Sequence, residues 1–224
     1  MVPPSGVILA VTGLKREARI LAGGGVQALA GGGDERSLER RLEELCPGAA
    51  GVISIGLAGA LAPGLAPGDW IVASRVGELE TAPAWTSRLL SALPGARLGA
   101  IVGSDVMVVD ATAKAALQAS SGALAVDMES HIAARVAARH GLPFAAARTI
   151  SDGADRALPR AAQAGMRPDG GMDVAAVLVQ LARRPWELPA LIRTGIEAET
   201  AFAALLRGRQ LLGPALMGPG PDLG

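Results

Sequence analysis

Short apolar runs alternate with segments of helical spacing along most of the chain, and this alternation limits the fold more than any other feature. GVILAVTG (6–13) reads as a buried first strand ended by glycine, and VQALAGGG (26–33) as a second. GVISIGLAGAL (51–61), GDWIVASRV (68–76), ARLGAIVGSDVMV (96–108, a strand and its exit loop) and LPFAAARTIS (142–151) continue the series. Between them, LKREARILA begins a polar turn or short helix, and 34–46 is a helix. Asp34 is its N-cap, with Leu38, Leu42 and Leu45 on one face. Further helices fall over 83–93, 111–119, 131–141, 173–184 and about 187–212. The pattern predicts an α/β domain with a largely parallel or mixed sheet and no internal repeat. Residues 1–184 form the expected domain, and 185–212 a helical C-terminal extension of it. The Gly/Pro-rich stretch 213–224 is expected to be a disordered tail.

Only 2% of the 224 residues are aromatic and none is Tyr, although half are hydrophobic. The core must therefore be built from Ala, Leu, Val and Ile. Twenty-one basic residues balance 21 acidic ones, so no global field attracts nucleic acid or a charged membrane. The single cysteine, Cys46, excludes an internal disulfide and fits a reducing, cytoplasmic setting. It reads as a small residue near a helix end. The N-terminus lacks the basic start and long apolar region of a signal peptide. No uncharged stretch has the length and hydrophobicity of a transmembrane helix.

Several chemistries lack their residues. GGGVQALAGGG is not a G-x-G-x-x-G turn between strand and helix, and no Walker sequence occurs. His131 and His140 stand nine residues apart without carboxylates arranged around them, so no metal site is expected. A G-x-S-x-G elbow is absent. Three carboxylates remain: Glu17, Glu129 and Asp152. Each follows an apolar run, and α/β sheets collect their ligands at the carboxyl ends of strands. Singly, each reads as a helix-start charge or cap; together, on three strand exits, they indicate a site.

VISIGLAGALAPGLAPGDWIV (52–72), AVDMES (125–130) and RTISDGAD (148–155) resemble, in order and spacing, the motifs of the purine nucleoside phosphorylase and methylthioadenosine/adenosylhomocysteine nucleosidase superfamily. The similarity covers about residues 5–183. The short middle of the chain, MRPDGGMDVAAVLVQLARRPWELPALIR and AFAALLRGRQLLGP resemble the hopanoid-associated phosphorylase branch.

The resemblance implies a three-layer α/β/α phosphorylase-like fold with a central mixed sheet. It also implies N-glycosidic cleavage of a 5′-substituted adenosine. The branch points to adenosylhopane, giving adenine and ribosylhopane. Met128 then packs on the ribose, and Glu129 accepts hydrogen bonds from its hydroxyls. Asp152 sits by the purine and assists N7 protonation, while Ser151 and Arg148 position its loop. Glu17 stands where nucleosidases carry the base that activates water. Gly56, Ala58 and Gly59 let backbone approach the sugar, and Met107 covers the adenine. Leu57 departs from the nucleosidases' small hydroxyl residue. The phosphorylases' phosphate-binding Arg/Ser pattern is also missing, although Arg16, Arg36 and Ser37 could hold an anion. Hydrolysis is therefore expected, with phosphorolysis, a methylthioadenosine/adenosylhomocysteine nucleosidase and a silent nucleoside-binding protein as alternatives. No metal or organic cofactor is implied, though phosphate would be a cosubstrate of phosphorolysis. The expected partners are the nucleoside itself, further copies in a homo-oligomer and, for a lipid substrate, peripheral contact with the inner face of a membrane. No nucleic acid is expected.

Overall fold

The continuous apolar runs are strands buried on both faces, as interior strands of largely parallel sheets are. In the computed structural model, which describes residues 6–165, 167 and 170–219, β1 (Val7–Thr12) is buried from Ile8 onward. It is followed by α1 (Lys15–Leu21), β2 (Val26–Ala30), α2 (Glu35–Leu45) and the twelve-residue β3 (Ala49–Ala60). Next come β4 (Trp70–Val76), a two-residue β5 (Leu79–Glu80), α3 (Pro83–Ala92), β6 (Arg97–Gly103) and α4 (Ala111–Ser121). The chain continues through β7 (Ala125–Asp127), α5 (Ser130–Arg139), β8 (Phe144–Asp152), α6 (Arg160–Ala164), α7 (Val174–Arg183) and α8 (Leu188–Leu212).

One mixed eight-stranded sheet runs β2-β1-β3-β7-β6-β4-β5, and β8 pairs with both β3 and β4. The pairings β3–β8, β8–β4, β4–β6, β6–β7 and β7–β3 therefore close a ring of five strands. Its long member, β3, runs parallel to β8 and antiparallel to β7. The register sets Gly59 opposite both Val126 and Asp152. This single strand thus brings the AVDMES and RTISDGAD motifs together.

Helices cover both sides of the sheet. Leu38 and Leu42 of α2 and the apolar face of α5 enter one cluster with Val11, Val52 and Ile71. Leu21, Trp85, Leu89, Leu205 and Leu212 form the other with Ile8, Ile53 and Val72. Asp34 caps α2 by accepting from Ser37 N–H at 3.0 Å, as its sequence predicts. Cys46 closes the same helix as a buried residue whose thiol burial pushes up to about 11, so it packs as a small apolar group.

The helical extension packs on the domain it follows: in the second half of α8, Ala201, Phe202, Ala204 and Leu205 are buried. Thr149 Oγ1 donates to the Ala201 carbonyl at 3.1 Å, and a Cβ on Gly208 would lie 2.4 Å from the Trp70 ring. The expected disordered tail is packed as far as Pro219. A turn at Pro214–Met217 buries Leu216, whose carbonyl accepts from Trp85 Nε1 at 3.0 Å. Residues 220–224 lie outside the described residues. The short α6 and the β5 hairpin had no periodicity long enough to read.

Candidate active site

The carboxyl ends of β1, β3, β7 and β8 meet at a cleft of about 250 Å³. Its floor holds Gly13, Leu57, Ala58, Gly59, Met128 and Ser151, and four carboxylates line it: Glu17, Asp127, Glu129 and Asp152. Among the described residues, no lysine or arginine lines it. The rest of the wall is apolar, with Val106, Met107, Val108, Leu158, Ala162, Met172, Ala198 and the ring of Phe202.

Glu17 lies in the first turn of α1 yet is 1% exposed. Its carboxylate accepts from Leu14 N–H and, at 2.6 Å, from Leu57 N–H. Gly56 makes this possible. A Cβ there would stand 2.5 Å from Glu17 Oε1 and 2.9 Å from Arg148 Nη1. The glycine therefore makes room for the Glu17 carboxylate that lines the cleft, while Gly56 itself is not among the lining residues, in contrast with its expected sugar contact. Burial raises the Glu17 pKa, opposed first by the Arg148 guanidinium and then by the backbone N–H groups.

Glu129 stands two residues past the end of β7, at the N-cap of α5, and is 6% exposed. Burial pushes it up to about 8; Arg148 opposes this, while Asp127 and Glu17 push it further up. Asp127 is occupied from behind. It accepts from Glu129 N–H at 3.2 Å and Ser130 N–H at 2.9 Å, and Arg148 Nε lies 2.6 Å from its Oδ2. Fully buried Arg148 also reaches Ser54 and Ser130 hydroxyls and approaches Glu129 at 3.7 Å. Arg148 therefore sits beneath the cleft and holds the acidic cluster together. It does not line the cleft, in contrast with its expected place among the substrate contacts.

The remaining expected residues converge. Met128, Glu129, Ser151, Asp152, Ala58, Gly59, Met107 and Glu17 all line the cleft. Ser151 Oγ donates to Asp152 Oδ1 at 2.7 Å, and a Cβ on Gly59 would lie 3.3 Å from Asp152 Oδ2. Three participants were not legible in the sequence. Lys114 of α4 is fully buried and ion-paired with Asp152. Asp127 and Phe202 carry no assigned role in the motif reading, yet both line the cleft. Arg16, a candidate anion ligand, is instead held by Glu199 and lies 3.9 Å over the Phe202 ring, tying α1 to α8. Glu35, Asp105 and His131 bring potential ligand atoms within 4.8 Å of one another. They lie outside the cleft lining, and Arg135 donates to Glu35 while His131 pairs with Asp105.

The mouth of the cleft is unusual. Among the described residues, most of the large apolar side chains left in solvent fall between 172 and 196: Met172, Val174, Leu178, Val179, Trp186, Leu188, Ile192 and Ile196. No residue of α7 is buried. Met172 and Thr194 of this region line the cleft itself. No helix among the described residues is long and apolar enough to cross a membrane.

A family model described as the phosphorylase superfamily matches residues 27–183. No curated protein matches the chain by sequence. Among solved structures, the 5′-methylthioadenosine/S-adenosylhomocysteine nucleosidase of Helicobacter pylori superposes with a TM-score of 0.64 at 17% identity, over 94% of this chain and 97% of that one. The corresponding nucleosidase of Streptococcus pneumoniae, bound to a transition-state inhibitor, gives 0.62 at 16% identity over 94% and 98%. The futalosine hydrolase of H. pylori gives 0.60 at 18% identity over 92% and 97%. At these identities the likeness is one of fold.

Proposed function

Because this chain belongs to the phosphorylase superfamily, we propose that it cleaves the N-glycosidic bond of a 5′-substituted adenosine and releases adenine by hydrolysis. The observation that carries the hydrolytic reading is the charge of the cleft. Among the described residues, four carboxylates and no cationic side chain line it, and the nearby cations Arg148 and Lys114 are engaged behind Asp127 and Asp152, so no charged donor faces an entering phosphate. Neutral water needs no such donor.

In this reading Glu17 is the base that takes a proton from the attacking water. Its Leu14 and Leu57 hydrogen bonds fix the carboxylate while leaving lone pairs free. Glu129 accepts from the ribose hydroxyls, and Met128 packs on the sugar. Positive charge develops on the ribosyl ring as the bond breaks, and the acidic cluster stabilises it. Asp152, beside Ser151, delivers a proton to N7 of the departing base. Met107 and Phe202 supply apolar cover for the purine. No metal or organic cofactor enters this scheme.

The apolar mouth supports a bulky hydrocarbon 5′ substituent, with adenosylhopane as substrate and ribosylhopane as product. A polar 5′ group would gain nothing from Met172, Ile192 and Ile196 in solvent, whereas a polycyclic hydrocarbon would cover them. The same ridge offers a peripheral contact with the membrane holding such a lipid. Incubation with adenosylhopane dispersed in detergent, with products identified by mass, tests the assignment. Adenine and ribosylhopane are expected, and an intact substrate would refute it.

A further inference from the structure

A fully buried lysine is rare unless a partner holds it, because its ammonium must give up water. Lys114 is 0% exposed and is the only buried residue of α4. Its three ammonium protons all find acceptors: Asp152 Oδ2, the Gly153 carbonyl at 2.9 Å and the Arg156 carbonyl at 3.1 Å. The Asp152 side chain is 9% exposed, toward the cleft. The ammonium thus stands directly behind the carboxylate assigned to the departing base. The pair spans two distant segments, since α4 leaves the β6 exit loop and Asp152 ends β8.

We propose that Lys114 is the proton source for Asp152, so that the two together form the acid of the reaction. The inference rests on the proposed role of Asp152. As the bond between the sugar C1′ and the purine N9 breaks, its electron pair stays with the purine. A proton passes from Lys114 Nζ to the Asp152 carboxylate, and from that carboxyl to N7. Water forms the new bond to C1′ and its proton goes to Glu17. Lys114 ends as a neutral amine and Glu17 as a neutral acid. Once adenine leaves the cleft, solvent returns a proton to Lys114 through the Asp152 carboxylate and removes one from Glu17, so the cycle closes on hydrolysis alone. A carboxylate held only for charge could equally be paired with arginine, whose fork matches it better; lysine differs in being able to give its proton up.

This difference sets the test. Lys114→Arg and Lys114→Met are compared with the wild type on adenosylhopane in detergent and on 4-nitrophenyl riboside, whose leaving group departs as an anion without a proton. Thermal melts check that each variant is folded. Both variants are expected to lose about 10²–10⁴-fold in kcat on adenosylhopane, the scale of a lost acid, and a distinctly smaller factor on the nitrophenyl riboside. Wild-type turnover of adenosylhopane by Lys114→Arg would overturn the proposal, since the lysine would then serve only as a charge. Equal losses on both substrates would also overturn it, because a structural role makes no distinction between leaving groups. Lys114→Ala with added propylamine avoids a bulky replacement: recovery of adenine release supports the proton source, and no recovery in a folded variant counts against it. Asp152→Asn, run alongside, separates the two readings. Undiminished adenine release by that variant removes Asp152 itself from the reaction, whereas its inactivity beside a fully active Lys114→Arg overturns only the part assigned to lysine.

Discussion

Glu17 and Glu129 face the same glycine. A Cβ on Gly13 would lie 3.2 Å from Glu129 Oε1 and 3.4 Å from Glu17 Oε2. Burial raises the pKa of both carboxyls, and Glu17 together with Asp127 pushes that of Glu129 further up. Arg148 beneath them is the counterweight.

The first consequence is a pH dependence. Glu129 binds ribose hydroxyls best as a carboxylate, and its pKa in the free protein is raised to about 8. Glu17 must likewise be ionised to accept a proton, and its pKa is also raised. The expected profile of kcat/KM rises with pH toward a limb near 8, because that ratio reports the free enzyme. A limb in the ordinary carboxylate range would place the ionisations elsewhere.

Stability carries the same signature with the opposite sense. A carboxyl whose folded pKa is raised contributes most below its unfolded pKa of 4.5, and that contribution is lost as pH rises through about 8. Glu129→Gln removes the titration. Its melting temperature relative to wild type is therefore expected to rise from pH 5 to pH 9, with a free-energy span of roughly a few kcal/mol. A constant difference across that range would contradict the burial argument.

Gly56→Ala tests the placement of Glu17. The new methyl would stand 2.5 Å from Glu17 Oε1, so the carboxylate must move. A displacement of about 1 Å can cost about 10²-fold in rate. The variant is expected to lose activity on that scale while retaining nucleoside binding measured by calorimetry. Unchanged turnover would detach Glu17 from the reaction.

The strand exits were legible because their signal is local: an apolar run, then a carboxylate, then helical spacing. Glu17, Glu129 and Asp152 are close in the fold for that reason and because β3 pairs with both β7 and β8. What failed to show was long-range. Lys114 sits in an Ala-rich helix whose spacing says nothing of a carboxylate 38 residues away. Arg148 carried a motif but not a direction, and the ring closed by β8 has no sequence mark. The structure divides the helix expected over about 187–212: Phe202 and Leu205 are core, while Leu188, Ile192 and Ile196 are exposed. Truncation after Arg184 would therefore remove core residues and unfold the domain.

Point substitutions on the ridge test the lipid route instead. Ile192→Ser with Ile196→Ser changes side chains 54% and 64% exposed, so folding stability should shift by only about 0.5 kcal/mol for each. The double variant is expected to lose activity on adenosylhopane in vesicles but to keep cleavage of soluble 5′-methylthioadenosine. Equal activity on both substrates, relative to wild type, would exclude the ridge from substrate capture.

Hydrolytic release of adenine in a cleft lined by carboxylates is tested most directly by the fate of oxygen. Adenosylhopane is incubated in ¹⁸O-labelled water, with and without inorganic phosphate, and the sugar product is weighed. Hydrolysis gives the same rate of adenine release in both, with one label incorporated at C1′ of ribosylhopane. Release that requires phosphate and yields an unlabelled sugar 1-phosphate would contradict it.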